Sequence, residues 1–453
     1  MQPARPYSLK QRIFHAGAWT VAGYGVSQVI RFGSNLLMTR LLVPEMFGVV
    51  AMATMVMVGL ALFSDLGLRQ SVVQSRRGDD AAFLNTAWVT QIARGVLLWF
   101  LALCGTLAIF ITGHAGVFPA ASAYADPTLP YVLAILSMTA LIAGFESTKL
   151  FEASRNLAFE RVTKIDVIAQ LVGLFFMLGW VWIDRSIWAL VSGNIFSALV
   201  RTILSHVSLP GVANHWTWDK AVFRELVHFG KWIFLASGLG FLVANGDRLL
   251  LGGLVNATML GVYIIAFSMS STVEQILTKI IAEVSFPAVS EIARERPHDL
   301  KSRYYRFHVA LASCAYFGGG FLMIAGQAVI TLLYDPRYTD AGWMLQILAV
   351  ALLTIPFRIV TQCFLAIGQP QTLSFLHAIR LVALFVLTPI GFRFFGLPGA
   401  LWGIVLAYFS PLPSTVSYAV KYGLFDLRKE LLLLPVIFVG MAIGKAFSVC
   451  VGN

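Results

Sequence analysis

Apolar residues in this chain are gathered into long runs separated by short polar connections. Runs of about twenty residues are long enough to cross the hydrocarbon core of a bilayer as helices. They fall near 16–39, 46–68, 84–112, 130–148, 163–183 and 187–207, and again near 228–251, 259–285, 307–333, 341–367, 373–392, 397–419 and 430–449. The first run starts near His15 and lacks the short apolar core and small-residue cleavage site of a secretory signal, so it reads as a retained span. The fold class predicted is all-α, a polytopic membrane helix bundle.

Composition agrees with that pattern. Hydrophobic residues make up 58% of the 453 and charged residues 12%, where soluble domains carry about a quarter; mean hydropathy is +0.78. A net charge of +11 could point to nucleic acid, but its placement points to topology instead. Arg5, Lys10 and Arg12 precede the first span, Arg69, Arg76 and Arg77 follow the second, and Lys149, Arg155, Arg161 and Lys164 follow the fourth. Further clusters follow the sixth, eighth and twelfth spans, whereas the opposite connections hold only Arg40, Arg185, Arg337 and Arg393. The positive-inside rule then places the N-terminus in the cytoplasm, with the lipid bilayer rather than nucleic acid as partner. Cys104, Cys314, Cys363 and Cys450 all fall within predicted spans without ligand spacing and read as small packing residues, and no metal site is expected.

An ungapped shift of 213 residues lays positions 15–53 on 228–266 with 12 identities in 39, among them His15/His228, Trp19/Trp232 and Met46/Met259. Both copies begin at a cytoplasmic end, so the chain is expected to form two pseudo-symmetric six-helix lobes around a central cavity. The lobes are placed at 1–208 and 227–420, joined by a cytoplasmic linker at 209–226, with 421–453 as an appended hydrophobic segment. Tandem halves of this kind suit alternating access.

Tyr24, Gln28, Arg31 and Asn35 share one helix face, opposite Val, Ile, Leu and Phe. A mid-span arginine costs about 2.5–3.5 kcal/mol on insertion scales, and Arg31 lies about 12 Å from the end of its span at 1.5 Å per residue. That depth favours a water-filled cavity over snorkelling. In the second copy Arg248 aligns with Asn35, and Asn245 precedes it by one turn. Arg358, in LLTIPFRIVTQCFL, follows Pro356 and shares a face with Gln362. Arg94 and Arg380 lie nearer cytoplasmic ends, where snorkelling competes equally with lining a cavity. Of the few carboxylates, Asp247 points about 100° away from Arg248, and Glu274 is the deepest and the candidate for coupling to a proton or sodium ion. With cations exceeding acids, the predicted ligand is an anion, because guanidinium matches phosphate oxygens bidentately. PEMFG (44–48) and SDLGL (64–68) read as fold elements, with Gly67 allowing close packing at a helix end.

MTRLLVPEMFGVVAMA, FSDLGLRQSVVQ, NGDRLLLGGLVNATMLGVYIIAFSM, AEVSFPAVSEIARERPHDLKSRYY and LLYDPRYTDAGWMLQILAVALLTIPFR resemble the polysaccharide-transport flippases of the multidrug/oligosaccharidyl-lipid/polysaccharide exporter superfamily. The resemblance runs through about residue 425. It implies a V-shaped bundle of two six-helix lobes in the bacterial inner membrane. The implied substrate is an undecaprenyl-pyrophosphate-linked oligosaccharide, moved from the cytoplasmic to the periplasmic leaflet, with a polymerase and a chain-length regulator as further partners. In that family, cavity-facing arginines on the first helix of each lobe engage the pyrophosphate, a pattern that Arg31 and Arg248 match by position.

Two rival classes are weaker. An enzyme acting on lipid-linked sugars generally needs a large outer loop with acid, base or metal groups, and the longest outer connection, 112–130, offers only His114 and Asp126. No cofactor is implied. An ion-coupled multidrug exporter of the same superfamily would keep a carboxylate-rich cavity, whereas this chain is rich in intramembrane arginine.

Overall fold

The computed structural model describes residues 9–62, 64, 66–75, 77–119, 122–156, 158–281, 300–366 and 370–452. These are helical throughout apart from turns, and the chain separates into two compact units, Met1–Phe241 and Leu242–Asn453.

The first unit contains α1 (Leu9–Leu41), α2 (Pro44–Leu62), the short α3 (Leu68–Gln74), α4 (Ala81–His114), α5 (Leu129–Leu136), α6 (Met138–Gly144), α7 (Lys149–Arg155), α8 (Phe159–Ile183) and α9 (Trp188–Val207). The boundary between units falls inside α10 (Lys220–Leu254). Gly67, at the helix end where the sequence places it, takes a left-handed backbone (φ 57°) immediately before α3, a conformation that favours glycine.

The predicted fourth span is not straight. The α5–α6 segment and α7 meet at 64°, and no proline lies between Gly144 and Lys149 to announce it. Side chains from neighbouring helices satisfy the backbone groups freed there, as a broken helix inside a membrane requires. Gln91 of α4 donates to the carbonyls of Ala143, Gly144 and Glu146 at 3.0–3.1 Å. Ser205 accepts from the Ser147 amide at 2.9 Å. Arg201 pairs with Glu146 and, at 2.9 Å, with Asp166. The stretch read as a linker lies on the same bend: Asn214 bonds Ser147 (2.6 Å) and Thr148 (2.7 Å), and the Val212 amide donates to Glu152. Replacing Gln91 by Leu strips the Gly144 and Glu146 carbonyls of this donor, while the Ala143 carbonyl keeps the Glu146 amide. Gln91→Leu is therefore expected to destabilise the fold by about 1–3 kcal/mol, seen as a lowered thermal midpoint of the solubilised protein.

The second unit continues with α11 (Ala257–Ile280), α12 (Leu300–Leu333), α13 (Ala341–Ala349), α14 (Phe357–Ala366), α15 (Pro370–Phe409), α16 (Leu412–Lys421), α17 (Leu427–Leu433) and α18 (Pro435–Val451). The predicted 341–367 span is interrupted by a 3-10 turn at Val350–Thr354 and by Pro356, which cannot donate into a helix. α15 consists of two limbs around Gly396, whose φ of 62° and ψ of −150° reverse the chain. The limbs pack side by side: a Cβ on Gly399 would lie 2.1 Å from the Gly391 carbonyl oxygen, and one on Gly403 2.5 Å from that of Leu387. They account for the separate spans expected at 373–392 and 397–419.

The appended C-terminal run is long enough to span, at 25 residues (Leu427–Val451). It packs along α12 through small residues, as membrane helices do; a Cβ on Gly440 would sit 2.4 Å from the Phe317 carbonyl. Buried His308 clasps its start, with Nε2 at 3.1 Å from Glu430 and Nδ1 at 3.0 Å from Tyr304. Among the described residues eight helices are long and apolar enough to cross a membrane, nine counting the bent segment. Some of the thirteen expected runs are altered by the fold itself: the 371–421 stretch holds both limbs of the hairpin, and 341–366 is interrupted. Of the cysteines, Cys363 is buried as expected of a packing residue, while Cys104, Cys314 and Cys450 lie on exposed faces.

Candidate functional site: a cationic cavity in the second unit

A cavity of about 630 Å³ opens within the second unit. Arg248 enters from α10, Glu274 and Thr278 from α11, and Arg358 from α14; His377 and Arg380 come from the first limb of α15 and Tyr408 from the second. Three guanidinium groups thus face one carboxylate.

Each arginine is held differently. Asn245 lies one turn before Arg248 and accepts from it at 2.9 Å, while the guanidinium lies over the Phe267 ring at 4.0 Å. Arg380 is stacked on Tyr408 at 3.7 Å. A ring against the flat face of a guanidinium is attractive and leaves the N–H edge for an anion. Among the described residues neither Arg248 nor Arg380 is paired with a carboxylate. Asp247, beside Arg248 in sequence, is buried, accepts the Tyr263 hydroxyl at 2.5 Å and does not line the cavity. Arg358 is the exception: it donates to Glu274 at 2.5 Å and to the Thr278 hydroxyl at 3.0 Å.

The cavity therefore joins Arg248, Arg358, Arg380, Asn245 and Glu274 from the sequence-derived set. Others lie elsewhere. Arg94 belongs to the first unit, where it donates to the Ala61 carbonyl (2.6 Å) and the Ser64 hydroxyl (3.1 Å). There it satisfies the end of α2, since the last carbonyls of a helix lack intrahelical donors. On α1, Gln28 donates to the Tyr24 hydroxyl at 3.1 Å, as a shared face requires. Arg31 is exposed on that helix and makes no hydrogen bond or ion pair among the described residues; Asn35 is half-buried. The Gln362 side chain lies outside the described ones. Sequence reasoning missed Phe267, Tyr408 and Thr278. Their roles depend on contacts between helices far apart in the chain, which no local spacing encodes.

A family model described as "Polysaccharide biosynthesis protein" matches residues 37–342. The lipopolysaccharide biosynthesis protein WzxC of Escherichia coli strain K12 is 20% identical over 356 residues, covering 76% of this chain and 67% of that protein. The succinoglycan biosynthesis transport protein ExoT of Rhizobium meliloti is 20% identical over 371 residues, covering 81% and 71%. Among solved structures, the lipid II flippase MurJ in an inward closed conformation aligns over 95% of this chain and 98% of its own, with a TM-score of 0.69 at 10% identity. An inward-facing multidrug resistance transporter of the MATE family and MOP superfamily aligns over 94% and 95%, with a TM-score of 0.63 at 14% identity. A helical membrane chain that shares its fold with these two structures, and that one family model matches across more than half its length, belongs to the polysaccharide biosynthesis protein family.

Proposed function

We propose that the protein is a flippase that moves undecaprenyl-pyrophosphate-linked oligosaccharide repeat units from the cytoplasmic to the periplasmic leaflet by alternating access, for the synthesis of a surface or extracellular polysaccharide. The observation that carries this reading is the charge of the cavity in the second unit, where three arginines face a single glutamate. A diphosphate offers several oxygens to such forks, and charge-assisted bidentate bonds are the strong ones. Family membership and the transport and biosynthesis relatives support it. An organic-cation exporter is disfavoured by the same excess of guanidinium groups.

In this reading the protein sits in the bacterial inner membrane with a cytoplasmic N-terminus and works beside a polymerase and a chain-length regulator. Glu274 is the group through which a proton or sodium ion is coupled. A strain lacking the protein accumulates single lipid-linked repeat units on the cytoplasmic leaflet; accumulation on the periplasmic leaflet instead identifies a polymerase defect and rejects the flippase. Arg31 of α1 is assigned to the pyrophosphate on its intramembrane depth and exposure. Arg31→Ala is expected to abolish polymer export at normal protein levels, and Arg31→Lys to restore it in part, because lysine carries the charge without the fork. Normal export by the alanine variant removes Arg31 from the site.

A further inference from the structure

The three cavity arginines are not equivalent. The guanidinium groups of Arg248 and Arg380 are backed by aromatic rings, while Arg358 spends donors on Glu274 and Thr278. We propose that Glu274 is a resident counter-anion for Arg358, which gives up the guanidinium to an incoming anionic head group and takes up one proton as it does so. This rests on the phosphate reading of the cavity given above and adds a ligand to it, the proton.

The argument is electrostatic. Glu274 and Arg358 are each mostly buried, with side chains 21% and 29% exposed. An ion pair in such a place is tolerated because each charge neutralises the other. When a phosphate oxygen takes the N–H edge of Arg358, the Glu274 carboxylate loses its partner and gains a negative neighbour. A partly buried carboxylate beside another anion favours its neutral form, so a proton from the water in the cavity joins it. No bond of the ligand is made or broken; a carboxylate becomes a carboxylic acid, and its hydroxyl can donate to the phosphate that displaced it.

The surroundings leave few rival proton sites. The other titratable or charged groups lining the cavity are Arg248 from α10, His377 and Arg380 from the first limb of α15, and Tyr408 from the second. Arginine stays charged, and the Tyr408 ring lies against Arg380. His377 is the one competitor, and it stands on a different helix from the pair. By linkage, proton and anion strengthen one another by the same factor. The loaded site then carries one negative charge less than the ligand brings, and the membrane potential acts on the remainder.

The test is calorimetric titration of the full chain in lipid nanodiscs with a water-soluble farnesyl-pyrophosphoryl N-acetylglucosamine. This probe is a pyrophosphate diester whose own charge is constant between pH 5.5 and pH 8 (roughly, for an acid of this class). Repeating the titration in buffers of different ionisation enthalpy counts protons. The wild-type chain is expected to take up about one proton per ligand and, by linkage, to bind about tenfold more weakly for each unit rise in pH over the range in which that uptake is seen. Glu274→Gln should take up none, bind independently of pH, and bind more tightly than wild type at pH 8. Glu274→Asp, which keeps the carboxylate, should retain the uptake. Binding by the wild type without proton uptake, uptake that survives in Glu274→Gln, uptake lost in His377→Gln, or binding that requires sodium each overturns the proposal while leaving the phosphate site standing. Failure of the probe to bind wild type at all rejects the phosphate reading, and this inference with it.

Discussion

Arg248→Ala is expected to lower transport of lipid-linked repeat units about 10–150-fold, the range for losing a hydrogen bond to a charged group at about 1.5–3 kcal/mol. The thermal midpoint should hardly move. The two expectations separate because of what Arg248 touches: its protein partners are the Asn245 amide and the face of the Phe267 ring, and no carboxylate is stranded when it goes. Asp247 keeps its bond from Tyr263. Arg358→Ala would be a poorer probe, since it orphans Glu274 in a partly buried site and confounds stability with binding. Arg248→Lys should recover only part of the activity, because an ammonium neither lies flat on Phe267 in the same way nor offers two parallel donors. Transport assayed with fluorescently labelled lipid-linked oligosaccharide in proteoliposomes reads the effect directly. Wild-type transport by the alanine variant would remove the cavity from the pathway.

The helical class and the cationic character of the site were legible from the chain because each is written locally. Twenty apolar residues demand a helix in lipid, and an arginine in that run demands a polar surrounding. The α1 stripe is a fair example: spacing alone places Tyr24 and Gln28 on one face, and they are hydrogen bonded there. What was not legible depends on partners distant in sequence. Arg94 and Arg358 look alike in a run of apolar residues, yet one caps the end of α2 and the other pairs with a glutamate 84 positions away. The bend after Gly144 is likewise invisible in FEST, since its donor comes from Gln91 on α4 and its acceptor from Ser205 on α9. Periodicity tells which face is polar; it does not tell which neighbour spends the polarity.

The hairpin of α15 carries the second large expectation. Gly399→Val should reduce the amount of folded, detergent-stable protein sharply, with a loss of about 1–3 kcal/mol or more, the usual cost of forcing atoms into a packed interface. The group the new side chain meets is backbone: even its Cβ would lie 2.1 Å from the Gly391 carbonyl oxygen, where no rotamer can swing aside. Relief requires the limbs to part, and parting them also opens the contact of Gly403 with the Leu387 carbonyl. The damage then reaches the cavity, because Arg380 on one limb is stacked at 3.7 Å on Tyr408 of the other. Whatever Gly399→Val protein survives should therefore bind a pyrophosphate diester more weakly than wild type, although residue 399 does not line the cavity. Gly105→Val on α4 is the matched control, since a Cβ there meets nothing within 4 Å. Equal thermal midpoints for the two variants would mean that the limbs of α15 do not touch, and that Arg380 is oriented by something other than the hairpin.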